Sequence, residues 1–346
     1  MEPARDSLGR PIADLRISVT DRCNMRCPYC MPREVFGPGF RFMSRAEVLT
    51  FEEIERVTRI FARLGVSKVR LTGGEPLLRR ELELLIAKLA QIPGIADIAM
   101  TTNGTLLAAR ARSLARAGLG RATVSLDALD QRAFSSMSDT RVPLARVLAA
   151  IDSAHAAGLR PVKVNMVVRR AVNDHCVLAM AEHFRGRPQV LRFIEFMDVG
   201  ETNEWTLADV VPGAEIVAAI DERWPLEAVP AGRVGEVAAR WRYRDGAGEI
   251  GVIRSVSEPF CEGCTRARLS ADGKVYTCLF ASHGRDLRGL LRGGAEDDEI
   301  EHALRGSWES RADRYSQLRR DRGSQSARSR AEERDSRRVE MSYIGG

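Results

Sequence analysis

The sequence predicts an α/β fold: a partial, six-stranded βα barrel of the TIM type with a small C-terminal antiparallel β layer. Three observations point to it. Six short β-branched segments alternate with longer amphipathic ones, the pattern of parallel strands joined by helices. The unusual motifs follow the ends of these strands, where parallel α/β folds build their sites. The strands also carry one apolar and one polar face, whereas a sheet covered by helices on both sides would be apolar on both.

The strands are expected at 14–20, 66–72, 97–102, 122–125, 162–168 and 190–196, and helices at about 44–64, 79–91, 106–117, 143–157 and 174–185. Gly65, Gly94, Gly118, Gly158 and Gly186 follow these helices as C-caps. Residues two apart share a strand face. Leu15, Ile17 and Val19 therefore oppose Arg16, Ser18 and Thr20; Val69 and Leu71 oppose Lys68, Arg70 and Thr72; Val162, Val164 and Met166 oppose Lys163 and Asn165. The polar set is expected to line an open lumen, and buried cations there imply bound anions, since an unpaired one costs several kcal/mol. Six units fall short of the eight of a closed barrel. Beyond Gly200 come a helix at 209–222, short strands with turns at Asp245-Gly246 and 271–274, a helix near 296–308, and an Arg/Ser-rich tail ending in Gly345-Gly346. The expected division is a core over 1–225, a second region over 226–312 and a tail over 313–346.

At 346 residues, with 44% hydrophobic and 29% charged residues, the chain is large enough for about two domains and unlike a disordered one. Residues 311–338 hold ten Arg against five acidic residues, which accounts for five of the six net positive charges. This is a solvated tail rather than a phosphate-tracking face, so no nucleic-acid partner is expected. With no run of about 18 apolar residues and no signal-peptide layout, a cytoplasmic protein without a membrane segment is expected.

Seven cysteines in such a chain point to metal or catalysis rather than disulfides. Six form two groups, Cys23-x3-Cys27-x2-Cys30 directly after the first strand and Cys261-x2-Cys264-x13-Cys278 near the end; Cys176 reads as a small hydrophobe on a helix. Three thiolates can hold three irons of a four-iron cluster and leave the fourth open. Structural zinc prefers four protein ligands, and no fourth Cys or His lies near the first group. The five His fall outside the motifs.

With Tyr29 just before its last cysteine, the first group resembles the signature of the radical S-adenosylmethionine superfamily, and Gly73-Gly74-Glu75 resembles that superfamily's methionine-binding motif. Cys261-Glu-Gly-Cys264-Thr-Arg-Ala-Arg through Cys278 resembles the C-terminal cluster motif of the MoaA family, the GTP 3′,8-cyclases of molybdenum cofactor biosynthesis, as do residues 16–23, 70–76 and 192–200. The resemblance implies two 4Fe-4S clusters, on Cys23, Cys27 and Cys30 and on Cys261, Cys264 and Cys278. It implies S-adenosylmethionine against Tyr29, Gly74, Ser125 and Met197, with Glu75 approaching the ammonium group. GTP would meet Arg16, Arg70, Thr101, Lys163, Arg266, Ala267 and Arg268. Arg266, Arg268, Gly345 and Gly346 would serve catalysis, the double glycine reaching into the site. The implied reaction takes hydrogen from C3′ of GTP and joins C3′ to C8, giving (8S)-3′,8-cyclo-7,8-dihydroguanosine 5′-triphosphate for cyclic pyranopterin monophosphate synthase. The electron donor is unidentified and a homodimer is left open. A peptide-modifying member of the superfamily is the alternative, but such enzymes usually carry more cysteines; a zinc-stabilised interaction protein is the non-enzymatic one.

Overall fold

A computed structural model describes residues 3–233, 235–323 and 338–345. The heart of the Arg/Ser stretch, 324–337, and Gly346 lie outside the described residues.

The chain begins as successive βα units: β1 (Asp14–Ser18), α1 (Phe51–Arg63), β2 (Lys68–Thr72), α2 (Leu82–Ala90), β3 (Asp97–Thr102), α3 (Leu107–Arg116) and β4 (Arg121–Ser125). Two helices follow β4, α4 (Gln131–Ser138) and α5 (Leu144–Ala156), before β5 (Lys163–Val168), α6 (Val177–Phe184), β6 (Val190–Glu195) and α7 (Gly213–Arg223). The rest comprises β7 (Leu226–Val229), β8 (Ala239–Tyr243), β9 (Glu249–Ile253), β10 (Arg266–Leu269), β11 (Lys274–Tyr276), β12 (Arg285–Asp286), α8 (Arg288–Arg292), α9 (Asp297–Glu309), α10 (Tyr315–Gly323) and α11 (Met341–Ile344). No described helix is long and apolar enough to cross a membrane.

All six expected strands form. Several helices differ: α8, α10 and α11 form where none was expected, α10 within the stretch expected to be a solvated tail. The first helix starts at Phe51 rather than near 44, because Thr50 and Glu53 make a capping box: Thr50 Oγ1 accepts from Glu53 N at 3.1 Å and Glu53 Oε2 from Thr50 N at 2.7 Å. Helix α4 was not foreseen; Asp130 caps it, accepting from Ala133 N at 2.8 Å.

The twelve strands form one sheet, ordered β12-β11-β10-β1-β2-β3-β4-β5-β6-β9-β8-β7. The C-terminal antiparallel strands are present, but they extend both edges of this sheet instead of stacking as a layer of their own. β10 runs parallel to β1 and β9 parallel to β6, which brings the parallel run to eight strands; the linear order leaves the barrel open. Leu15, Ile17, Val69, Leu71, Val164 and Met166 are fully buried within the main core, together with Ile54, Val57, Ile60 and Phe61 of α1. Each such side chain contributes roughly 1.5–3 kcal/mol. The alternate residues face the lumen.

A buried ionic cluster ties the chain's beginning to its end. Asp6 accepts from Arg10 at 2.6 Å and from Arg311 at 3.1 Å, all three side chains almost wholly buried. Asp6→Ala would leave Arg10 without its ion-pair partner and Arg311 with Asp313 alone, and is expected to cost about 3–5 kcal/mol, read as a fall in melting temperature. An unchanged melting temperature would contradict this.

Candidate active site

The long loop after β1 carries the first cysteine group across the end of β2. Gly74 N donates to Thr20 O at 2.9 Å and Glu75 N to Arg22 O at 2.8 Å, so the two segments lie backbone to backbone. A Cβ on Gly74 would overlap the Arg22 carbonyl, and Gly73, at φ +145°, would place one 2.5 Å from Thr20 O. The paired glycines are thus required by this close approach. Glu75 is turned into the protein, where its carboxylate accepts from Leu77 N, Thr102 Oγ1 and Asn103 N at 3.0, 2.7 and 2.7 Å; burial pushes it up to about 7. It does not line the cavity, so bare backbone, not this carboxylate, faces the lumen. Tyr29 Oη donates to Asp127 Oδ2 at 2.9 Å, and Asp127 Oδ1 accepts from Val167 N at 2.8 Å. Burial lifts Asp127 to about 6.

The second group lies at the other end of the strands. Because β10 runs parallel to β1, Cys261 and Cys264, which precede β10, sit at the N-terminal mouth, whereas Cys23, Cys27 and Cys30 follow β1 at the C-terminal mouth. Cys278 joins them because it follows β11, which runs antiparallel to β10. About one strand length, roughly 17 Å for five residues, separates the mouths. Loop 261–264 is pinned by Arg10, which donates to Cys261 O at 2.8 Å, and by Arg311, which donates to Cys264 O at 2.8 Å and to its sulfur at 3.1 Å. Arg266 donates to the same sulfur at 3.2 Å. Burial alone would raise the Cys264 thiol; Arg266 and Arg311 outweigh it and bring the thiol down to about 6.

Between the mouths, strand register sorts the charges into rows. Arg268, Arg16 and Arg70 stand side by side on β10, β1 and β2; one step toward the N-terminal mouth, Arg266, Asp14, Lys68 and Asp97 alternate in sign. Lys68 pairs with Asp14 at 2.8 Å. Arg70 donates to Thr101 at 3.1 Å and to Thr123 at 3.2 Å, and Arg192 to Asn165 at 3.0 Å. The Arg16 and Lys163 side chains have no hydrogen-bond or ion-pair partner among the described residues. Burial, reinforced by neighbouring cations, pushes Arg16 well down, Arg70 to about 10, Arg192 to about 9 and Lys163 to about 7.

All six clustered cysteines, Tyr29, Gly74, Ser125, Met197, Arg16, Arg70, Thr101, Lys163, Arg266 and Arg268 line one cavity of about 580 Å³, within the ~300–1,000 Å³ usual for small-molecule sites. Ala267 does not: alternation turns it into the core on the opposite face. Gly345 reaches the same region, its carbonyl accepting from Arg268 and its φ at +75°. Sequence reasoning missed Arg121, Arg192, Arg233 and Arg311 on the wall, and Arg10 behind it. Alternation in β6 could have found Arg192; nothing local marks Arg311.

The donor sets fit iron–sulfur clusters with one open iron. Each mouth offers three thiols, no His lines the cavity among the described residues, and backbone N–H groups of Met25 and Phe280 point at Cys23 and Cys278 sulfurs at 3.4 and 3.5 Å. Among the described residues neither triad brings its three sulfurs within 4.8 Å of one another, wider than one tetrahedral zinc requires.

Fold and site together define a radical S-adenosylmethionine enzyme. The Radical SAM superfamily model matches residues 17–184, and the Molybdenum Cofactor Synthesis C model matches 189–317. A "GTP 3′,8-cyclase" from Acidothermus cellulolyticus is 54% identical over 360 aligned residues, covering 100% of this chain and 99% of the relative. One from Staphylococcus aureus is 46% identical over 347, covering all of both. Among solved structures, Streptococcus suis SuiB bound to its precursor peptide SuiA shares the fold, with a TM-score of 0.61 at 14% identity over 87% of this chain and 65% of that one. The chain belongs to the GTP 3′,8-cyclase family.

Proposed function

We propose that this chain converts GTP to (8S)-3′,8-cyclo-7,8-dihydroguanosine 5′-triphosphate, the first step of molybdenum cofactor biosynthesis, and that the product passes to cyclic pyranopterin monophosphate synthase. The observation that carries this reading is a lumen in which Arg16, Arg70, Lys163 and Arg192 have no ion-pair partner among the described residues, lying between two three-cysteine mouths. A triphosphate supplies the anions those cations lack, and the span between the mouths separates a radical source from an anchor for the base.

Cys23, Cys27 and Cys30 hold the first 4Fe-4S cluster, and Tyr29, Gly74, Ser125 and Met197 line S-adenosylmethionine. When bound, these cofactors supply a 5′-deoxyadenosyl radical. Cys261, Cys264 and Cys278 hold a second cluster next to guanine. Arg16, Lys163 and Arg70, the last oriented by Thr101, hold phosphate oxygens and fix C3′ toward the first mouth. Arg266 and Arg268 stand beside the base, Arg268 also donating to the Gly345 carbonyl. The test is anaerobic cluster loading followed by reductant, S-adenosylmethionine and GTP: 5′-deoxyadenosine together with a cyclised nucleotide supports the reading, and 5′-deoxyadenosine with unchanged GTP overturns it.

Arg16→Ala is expected to weaken GTP binding by about 1.5–3 kcal/mol, the range for hydrogen bonds to charged groups, with no change in iron content. Binding as tight as in the parent would remove Arg16 from the site.

Lys163 gives a pH signature. Its value near 7, set by burial and neighbouring cations, leaves it largely neutral at pH 8, while a triphosphate favours the ammonium form. Binding therefore takes up a proton, and affinity falls with rising pH above about 7, by at most about tenfold per unit. Calorimetry at about pH 8 in buffers of different ionisation enthalpy should show that uptake, and Lys163→Arg should abolish it. Equal uptake in both proteins would assign the proton elsewhere.

A further inference from the structure

Away from the cavity, the seventh cysteine is not alone. The Asp130 carboxylate, the His175 ring and the Cys176 sulfur present ligand atoms that all lie within 4.8 Å of one another, and none of the three residues lines the cavity. Asp130 and His175 are exposed and Cys176 is buried. We propose that Asp130, His175 and Cys176 form a site for a borderline divalent cation of the zinc class, on the outside of the barrel where the loops following β4 and β5 meet.

The donor set selects the ion. One sulfur, one imidazole nitrogen and one carboxylate oxygen suit zinc and its neighbours, whereas magnesium and calcium require oxygen. In a tetrahedral zinc site the ligand atoms lie roughly 3.3–3.8 Å apart. Cys176 Sγ and Asp130 Oδ2 are already 3.7 Å apart, and the exposed imidazole presents a ring nitrogen within 4.8 Å of both. Asp130 caps α4 with Oδ1, and its Oδ2 accepts from the Cys176 thiol, a contact that a cation held by both would replace. His175 and Cys176 close a single turn ahead of α6, so the ligands come from two different loops and a cation would tie them together. Water can take the fourth position. On binding, the Cys176 thiol loses its proton to solvent and the sulfur donates an electron pair to the metal; no redox change is involved.

The position gives such an ion something to hold. Asn173, two residues before His175, donates to Asp127 O at 2.9 Å and to Val167 O at 2.8 Å, bridging the same two loops from inside. Asp127 is the acceptor of the Tyr29 hydroxyl in the first cysteine group. The cation would brace, from outside, the loop that fixes Tyr29.

The test uses cluster-loaded protein, so that the other six cysteines are engaged, dialysed against micromolar zinc with zinc and iron both counted by mass spectrometry. The expected result is one zinc per chain with iron unchanged. Cys176→Ser and His175→Gln should each weaken zinc binding by at least about tenfold with iron content unchanged, and His175→Gln, at an exposed position, should keep the parental zinc-free melting temperature. No retained zinc would overturn the proposal. So would equal retention in both variants, or zinc gained only as iron is lost, which would place the ion in the cluster groups.

Discussion

Formation of 5′-deoxyadenosine is expected to fall to the level of a no-enzyme control when Cys23, Cys27 and Cys30 are replaced by Ala, whereas replacing Cys261, Cys264 and Cys278 should leave reductant-driven cleavage measurable and abolish the cyclised nucleotide. The asymmetry follows from register. The first group stands at the C-terminal mouth beside Gly73 and Gly74, and the second at the N-terminal mouth beside Arg266. Each set of replacements should remove about half of the iron. Loss of both products in both variants, with no iron in either, would indicate a collapsed fold rather than two separable sites.

The second large effect is expected at the C-terminus. Two anchors hold the tail before it enters the lumen. Arg338 donates to Asp198 Oδ2 at 3.0 Å and to Tyr315 Oη at 2.7 Å, and Glu340 accepts from Glu201 N at 2.9 Å and Thr202 Oγ1 at 3.0 Å. Ile344 is fully buried, Met341 and Ser342 line the cavity, and the Gly345 carbonyl accepts from Arg268. At φ +75° a Cβ on Gly345 would be strained, and it would overlap the Thr72 hydroxyl. Gly345→Ala, or deletion of Gly345 and Gly346, is therefore expected to leave both clusters and S-adenosylmethionine cleavage in place while removing cyclised product. The readout is the ratio of cyclised nucleotide to 5′-deoxyadenosine; a parental ratio would make the tail a passive end.

How much of this was legible depends on how local the signal is. Arg16, Arg70 and Lys163 could be assigned to the lumen from the sequence because a strand's two-residue period sorts side chains without knowledge of its neighbours. The partners of β9 and β10 could not. Nothing local says that Arg268, some 250 residues from Arg16, stands beside it, so the antiparallel region read as a layer of its own. The three residues Arg266, Ala267 and Arg268 came as one motif, yet alternation sends Ala267 to the core. Helix α4 escaped because eight residues carry little periodic signal, although its Asp130 cap was in plain view. The Asp6–Arg10–Arg311 cluster joins residues some 300 apart and has no local signature.

The central claim is that the cavity holds GTP with C3′ directed toward the first cysteine mouth. Its most direct test is the fate of deuterium placed at C3′ of GTP, followed by mass spectrometry of the 5′-deoxyadenosine formed in the presence of reductant and S-adenosylmethionine. One deuterium is expected in 5′-deoxyadenosine, matched by cyclised nucleotide that has lost it. Unlabelled 5′-deoxyadenosine beside fully labelled GTP would contradict it.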